Sequence, residues 1–273
     1  MKARRVTTLA VILAVVLPSM LFGFGQRERM APQITDIEQE TRYISPESSP
    51  GVQDSLVVTP ALSADEKLVV LRYRFVIRDA GGNEVYAVEE ALEDPGFFRR
   101  TWRNIFWRRK EAVEVPDELV WEGVDNSGAA VAEGAYTYQL IAWDDKDNRG
   151  ETQELPVVVD NTPPEAEVSS PYLIFSPNND GNQDIMVFEQ SGSEEREWIG
   201  RVLASDDSEV ISYSWEESAP ENLVWEGVNE AGDRVADGDY RYVLSAVDRA
   251  GNEFSATIDG IVVDTRDTPL ALD

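Results

Sequence analysis

The run Asn178-Asn-Asp-Gly-Asn-Gln-Asp184 puts side-chain oxygens at Asn178, Asp180, Asn182 and Asp184, alternate positions around Gly181, and calcium loops begin in this way. Calcium is therefore the candidate cofactor, with those four residues as its candidate ligands. Against that reading, Ser176 stands where an EF-hand loop opens with Asp, and Val187 where it closes with a bidentate Glu. The same residue types also make Asx turns, whose side chains accept backbone amides and cap the start of a strand. The incomplete ligand set favours the turn. Asp144, Asp145 and Asp147 form a second acidic cluster, but the later copy of that segment keeps only Asp248, so a hairpin turn is expected there.

A catalytic set is harder to assemble. The chain has no His and no Cys, which removes imidazole bases, thiol nucleophiles, disulfides and the usual zinc ligands together. Glycoside hydrolysis on carboxylates alone needs two acids across a fixed cleft, whereas the repeated acids here fall in turns. No catalytic residue is assigned, and the expectation is a protein that is not an enzyme. The formal charge of −28 disfavours nucleic acid as a partner.

One segment runs against the acidic character. Within 95–112, Phe97, Phe98, Arg99, Arg100, Trp102, Arg103, Phe106, Trp107, Arg108 and Arg109 mix aromatic and cationic side chains. Phe98, Trp102 and Ile105 share one helical stripe, so a short amphipathic helix is expected. Such a segment either packs on its own domain or docks to an envelope protein, a surface component or anionic lipid. Nothing in the sequence points to an oligomer.

The N-terminus reads as an export signal over 1–25: Lys2, Arg4 and Arg5 precede an apolar run from Leu9 to Phe22, and Gly23-Phe24-Gly25 supplies small residues for cleavage. The run falls short of the about 20 apolar residues of a membrane span, so an uncleaved anchor is the weaker alternative. Without Cys there is no lipoprotein acylation site. The expected location is the periplasm, the cell surface or the medium.

The elements that must position these residues are written twice. Leu119-Val-Trp-Glu-Gly-Val124 through Asp160 recurs as Leu223-Val-Trp-Glu-Gly-Val228 through Asp264, at a constant offset of 104 residues. The boundaries read from this are a linker 26–43, a first domain 44–160 carrying the 95–112 insertion, a Pro-containing linker 161–171, a second domain 172–267 and a tail 268–273. Within each copy the apolar period is two: Tyr136, Tyr138, Leu140 and Ala142 share one face, as do Tyr240, Tyr242, Leu244 and Ala246. Val69, Leu71, Tyr73, Phe75 and Ile77 are expected on the core side of an earlier strand, with Arg72, Arg74 and Arg78 on a wet face. Trp121 and Trp225 are expected in the cores. Gly- and Asp-rich turns punctuate these strands, which makes the fold all-β: two tandem antiparallel β-sandwiches, with a short helix inserted in the first.

The string Val224-Trp-Glu-Gly-Val-Asn-Glu-Ala-Gly-Asp-Arg-Val-Ala-Asp-Gly-Asp-Tyr-Arg-Tyr242 resembles the Ig-like, fibronectin-III-like domain of flagellar hook-capping proteins and of many exported bacterial proteins. The first copy matches it at Trp121, Gly123, Gly128, Gly134, Tyr136 and Tyr138. Phe175-Ser-Pro-Asn-Asn-Asp-Gly-Asn-Gln-Asp184 is similar to the Ser-Pro-Asn-x-Asp-Gly opening of Ig-like modules in envelope surface proteins, and Ile44-Ser-Pro-Glu-Ser-Ser-Pro-Gly-Val-Gln-Asp54 is a degenerate copy. The resemblance implies the fold and does not extend to hook capping. With the export signal it implies a non-enzymatic structural or interaction protein of the cell envelope that docks through 97–110. The alternative is a calcium-dependent adhesin or surface matrix module using 178–184.

Overall fold

The computed structural model describes residues 33–35, 40–48, 51–63, 69–92, 112–144 and 147–266. The export-signal segment 1–25, the tail 268–273, Asp145 and all of the docking candidates from Phe97 to Arg109 lie outside the described residues. None of the described residues forms a helix long and apolar enough to cross a membrane.

Short apolar runs broken by Gly- and Asp-rich turns become strands, in two sets. The first set is β1 (Gln33–Thr35), β2 (Arg42–Ile44), β3 (Leu56–Val58), β4 (Ala61–Ser63), β5 (Val70–Asp79), β6 (Glu84–Ala91), β7 (Leu119–Trp121), β8 (Gly134–Asp144), β9 (Arg149–Glu151) and β10 (Leu155–Val159). The second is β11 (Ala166–Ser169), β12 (Ile174–Phe175), β13 (Met186–Gly192), β14 (Glu195–Ala204), β15 (Glu209–Glu217), β16 (Asn222–Trp225), β17 (Gly238–Val247) and β18 (Glu253–Val263). The larger sheet of sandwich one runs β2-β10-β8-β5-β6, with β9 also on β8, and that of sandwich two runs β12-β18-β17-β14-β15. In each, the short opening strand lies parallel to the closing one, β2 on β10 and β12 on β18, and the other pairs are antiparallel. Strand β1 falls within 26–43 and β11 within 161–171, and β11 pairs β13 in the smaller sheet of sandwich two.

The smaller sheets explain a difference between the copies. In sandwich two it is β11-β13-β16, whereas sandwich one has two separate ribbons, β1-β4 and β3-β7. Strands β3 and β4 together span what β13 spans alone, and they are interrupted at Thr59-Pro60. Proline offers no ladder N–H, so the strand cannot run through it.

Each sandwich has its own core. Trp121 and Trp225 are fully buried, and each indole N–H donates to the carbonyl three residues on, Val124 at 2.7 Å and Val228 at 2.8 Å. Tyr136 and Tyr240 pack against these rings at 5.5 and 5.4 Å between centroids and donate their hydroxyls to Ala132 O and Ala236 O. Tyr138, Leu140 and Ala142 are buried in one core, and Tyr242, Leu244 and Ala246 in the other, as the period of two requires.

Strand β5 departs from the expected alternation at its start. A bulge between Val70 and Arg72 shifts the register, so Val70 rather than Leu71 is buried. The face expected to be wet is covered at its middle: Val76, Ile141 and Gln139 are buried there, and Gln139 Nε2 donates to Thr152 O at 2.9 Å.

The Ser-Pro openings and the Trp-Glu-Gly strings, far apart in sequence, meet in each sandwich. Gly123 and Gly227 have φ of 69° and 68°, and a Cβ on them would lie 2.5 Å from Pro46 Cγ and 2.8 Å from Pro177 Cγ. Glycine is required at both for its left-handed backbone and for the space the proline takes. Gly232 has φ of 81° with open space around it. Gly227→Ala is therefore expected to lower stability in urea denaturation by more than Gly232→Ala, which costs only the conformational part, about 1–2 kcal/mol. Equal losses would remove the proline contact from the explanation.

Candidate functional site

Asp and Asn at hairpin turns bond their own backbone, and this builds most of the polar geometry of the chain. Asp248 Oδ1 accepts the Ala250 and Asn252 amides at 2.8 and 2.9 Å, and its Oδ2 accepts from Asn252 Nδ2 at 2.7 Å. In sandwich one, Asp144 Oδ1 accepts the Asn148 amide at 2.9 Å and its Oδ2 accepts from Asn148 Nδ2 at 2.6 Å. Asp147, with φ of 64°, takes the left-handed place that Gly251 fills at 86°. The acids at Asp144 and Asp147 thus belong to a hairpin turn.

The candidate calcium loop is built in the same manner. Asp184 accepts the Asn179 and Gly181 amides at 2.6 and 2.8 Å, Asp180 Oδ1 accepts the Asn182 amide at 2.8 Å, and Asn178 Oδ1 accepts the Asp180 amide at 2.9 Å. Asp180 Oδ2 takes a bond from Asn178 Nδ2 at 3.1 Å. This is an interlocked set of Asx turns. Among the described residues no group of three or more acids is placed to hold a metal ion.

The polar site that joins distant parts of the chain is the seam between the sandwiches. The Asp248–Asn252 turn of sandwich two inserts into a socket at one end of sandwich one, formed by Ser45, Gln53 and Asp160. Asn252 is 1% exposed; its amide donates to Asp160 O at 2.9 Å as well as to Asp248, and its oxygen accepts the Ser45 hydroxyl. Ser45 and Ala250 are fully buried. Gln53 Nε2 donates to Arg249 O at 3.0 Å and to Tyr43 O at 2.8 Å, and Arg249 donates to the Tyr43 hydroxyl at 3.0 Å. A Cβ at Gly251 would stand 3.2 Å from Gln53 and 3.3 Å from Val52, so the turn fits with little to spare. An open groove of about 1210 Å³ beside this seam includes Arg196, Arg201 and Arg249; Arg201 is paired with Glu209 and Arg249 with Tyr43.

The seam also carries a repulsion. Burial, followed by the charges of Asp248 and Glu133, raises the Asp160 carboxyl above its ordinary range, against the opposing bond from the Thr162 amide. Sandwich two treats the equivalent acid differently: Asp264 accepts two bonds from the Arg266 guanidinium at 2.8 Å, which with the Arg266 amide holds its pKa down at about 2.

The sequence reading did not reach the seam, because Ser45 and Asn252 are separated by 207 residues. A signal was present nonetheless. At the turn, copy two has Ala250-Gly251 where copy one has Lys146-Asp147, and small residues replacing charged ones in an otherwise matched turn mark a buried contact.

The described residues nearest the insertion are its roots. Leu92 N donates to Leu71 O at 3.0 Å where the chain leaves, and Val113 N donates to Val70 O at 2.8 Å where it returns. Val70 is in register with Asp144, so the roots sit at the end of sandwich one that bears its Asp144–Asn148 turn. The socket for sandwich two lies at the opposite end of strands β8 and β10, beside Gly134 and Val159.

No family model matches the chain, and no curated protein does. Among solved structures it is similar to the fibronectin(III)-like modules of Clostridium thermocellum CbhA, at 14% identity over 88% of this chain and 100% of that one, with a TM-score of 0.44. It is also similar to a tetra-tandem repeat from the extending region of a large adhesion protein, at 16% identity over 86% of this chain and 50% of that one, TM-score 0.34. A 1.5-MDa bacterial ice-binding adhesin gives 9% identity over 85% and 63%, TM-score 0.36.

Two predictions test the seam. Because the chain has no Cys, spin labels at A129C and A231C report the distance between sandwiches cleanly. Asn252→Ala is expected to broaden that distribution and cost about 1–3 kcal/mol, since it strands buried partners; Asn148→Ala, which has only the turn to lose, leaves the distribution narrow. An unchanged distribution in Asn252→Ala would show that the seam does not depend on this amide. Second, a carboxyl whose folded pKa is raised stabilises while protonated and loses that contribution as pH rises through its folded value. Asp160→Asn should therefore raise the melting temperature at pH 7 and remove part of the gain that the parent shows on acidification to about pH 5. A fall at pH 7 would make the Asp160 charge favourable.

Proposed function

We propose that this chain is an exported, non-enzymatic Ig-like structural and interaction protein of the bacterial cell envelope, docked to an envelope protein or surface component through the insertion at 97–110. The observation that carries the reading is where the insertion is rooted. Both roots bond the bulged start of β5, at the end of sandwich one away from the seam. The segment between these roots is basic and aromatic in sequence, in a chain whose formal charge is −28. Direct contact of the insertion with anionic membrane lipid is the neighbouring possibility in the same mode.

The polar groups elsewhere support a scaffold rather than a reaction centre. The repeated Asp and Asn side chains are engaged by turn amides, and the chain has no His or Cys to serve as base or nucleophile. The calcium-dependent adhesin reading has less support. The oxygens of Asn178, Asp180 and Asp184 that would bind the ion already accept hydrogen bonds within the loop.

Replacing Trp102, Phe106 and Trp107 together with Ser is expected to release the protein from the envelope fraction while its melting temperature stays unchanged. The parent should remain in that fraction when calcium is chelated. A variant that still sediments with the envelope would overturn docking through the insertion, and release of the parent by chelator would favour the calcium reading.

A further inference from the structure

We infer that sandwich two carries a second, open copy of the socket, shaped for the Asp-x-Ala-Gly-Asn hairpin turn of an Ig-like module from a partner protein. This goes beyond the proposed docking through the insertion and involves the opposite end of the chain's fold.

Two backbone bonds that frame the filled socket recur in sandwich two. In sandwich one, Ser45 N donates to Gln53 O at 2.7 Å and Asp160 N to Ile44 O at 2.9 Å. In sandwich two, Ser176 N donates to Gln183 O at 2.9 Å and Asp264 N to Phe175 O at 3.1 Å. The three groups that grip Asn252 and its turn, the Ser45 hydroxyl, the Gln53 amide and the Asp160 carbonyl, have counterparts in Ser176, Gln183 and Asp264. The environments differ. Ser45 is buried under the inserted turn, whereas Ser176 is half-buried and Gln183 exposed, and among the described residues neither side chain has a hydrogen-bond partner.

The rim indicates what would fit. Tyr43 of the filled socket is replaced by Ile174, which is 58% exposed, and Leu173 and Ile185, next in sequence to Ile174 and Asp184, are 42% and 37% exposed. Tyr43 is the residue that receives Arg249 of the inserted turn, so the open socket favours an apolar residue after the turn's Asp. Charge is arranged in the same sense. At the filled socket Asp248 faces an uncompensated Asp160, while Asp264 already has Arg266 bonded to it, so an incoming Asp meets a neutralised acid.

A second copy of this chain is a poor occupant. Its own copy of the turn, Asp144–Asn148, has Lys146 and Asp147 in sequence where the seated turn has Ala250, fully buried, and Gly251, whose added Cβ would press on the socket. The insertion is rooted at that same end.

The test is a hairpin peptide of residues 244–256, closed by a disulfide between S245C and S255C, which face each other across β17 and β18. It is titrated into the isotope-labelled full chain and read by amide chemical shifts. Shifts at Ser176, Gln183 and Thr265 are expected at about millimolar peptide, the range in which such a contact forms without a tether. They should strengthen with the R249L peptide and vanish with the A250K/G251D peptide or with Ser176→Ala in the protein. No shift at these residues, or equal shifts from the A250K/G251D peptide, overturns the inference. So do shifts confined to Ser45 and Gln53, which would mean that the peptide displaces the existing turn. Concentration-dependent self-association of the parent chain that Ser176→Ala abolishes would make a second copy the occupant and overturn the partner module.

Discussion

The fold depends on a constraint of short strands: many tight turns leave backbone amides with no ladder partner, and each buried or half-buried amide needs an acceptor. This chain supplies it with Asp or Asn at the first turn position. Asp79, Asp125, Asn229 and Asp248 each accept the amides two and four residues on through a single oxygen. Part of the chain's acidity is thereby accounted for in the backbone. The hydrogen bonds also hold the Asp79 and Asp125 carboxyls below their ordinary range, keeping them ionised and accepting.

One of these turns does more than reverse the chain. Asp248 fixes Asn252 with three bonds, counting the Asp248 amide that donates to the Asn252 carbonyl, and so points the Asn252 amide into sandwich one. A side chain already ordered by its own turn loses little further freedom on docking. The neighbouring residues complete the fit by being small: Ala250 is enclosed and Gly251 approaches Gln53 and Val52. The homologous turn of sandwich one retains the capping bonds of Asp144 and has charged residues in place of the small ones. Capping and docking are therefore separate properties: both turns carry the capping bonds, and the small residues of the docked turn occur in copy two.

This separation explains what could be read from the residues alone. The cores were legible because Trp121 and Trp225, Tyr136 and Tyr240 and their alternating neighbours obey local periods, and the all-β tandem sandwich followed from them. The Pro60 break, the β5 bulge and the covered face around Val76 were not, since each depends on what the partner strand or layer presents. The candidate ligands Asn178, Asp180 and Asp184 do come together, and their side-chain oxygens accept amides of their own loop. The seam lay beyond pattern reading because its parts come from the opening and the end of the described chain.

The two ends of the molecule's pairing scheme are thus unequal. At the seam, Pro163-Pro164 limits the backbone of the connection, while the saturated Asn252 amide opposes rotation of one sandwich on the other. A stiff connection and a directional lock together transmit orientation, which a flexible tether would not. The roots of the insertion, Leu92 on Leu71 and Val113 on Val70, are consequently held in a defined relation to sandwich two rather than merely linked to it. Repeated residues thus serve the architecture within each sandwich, and at Ala250 and Gly251, where the copies differ, small residues seat the turn that sets the relation between the two.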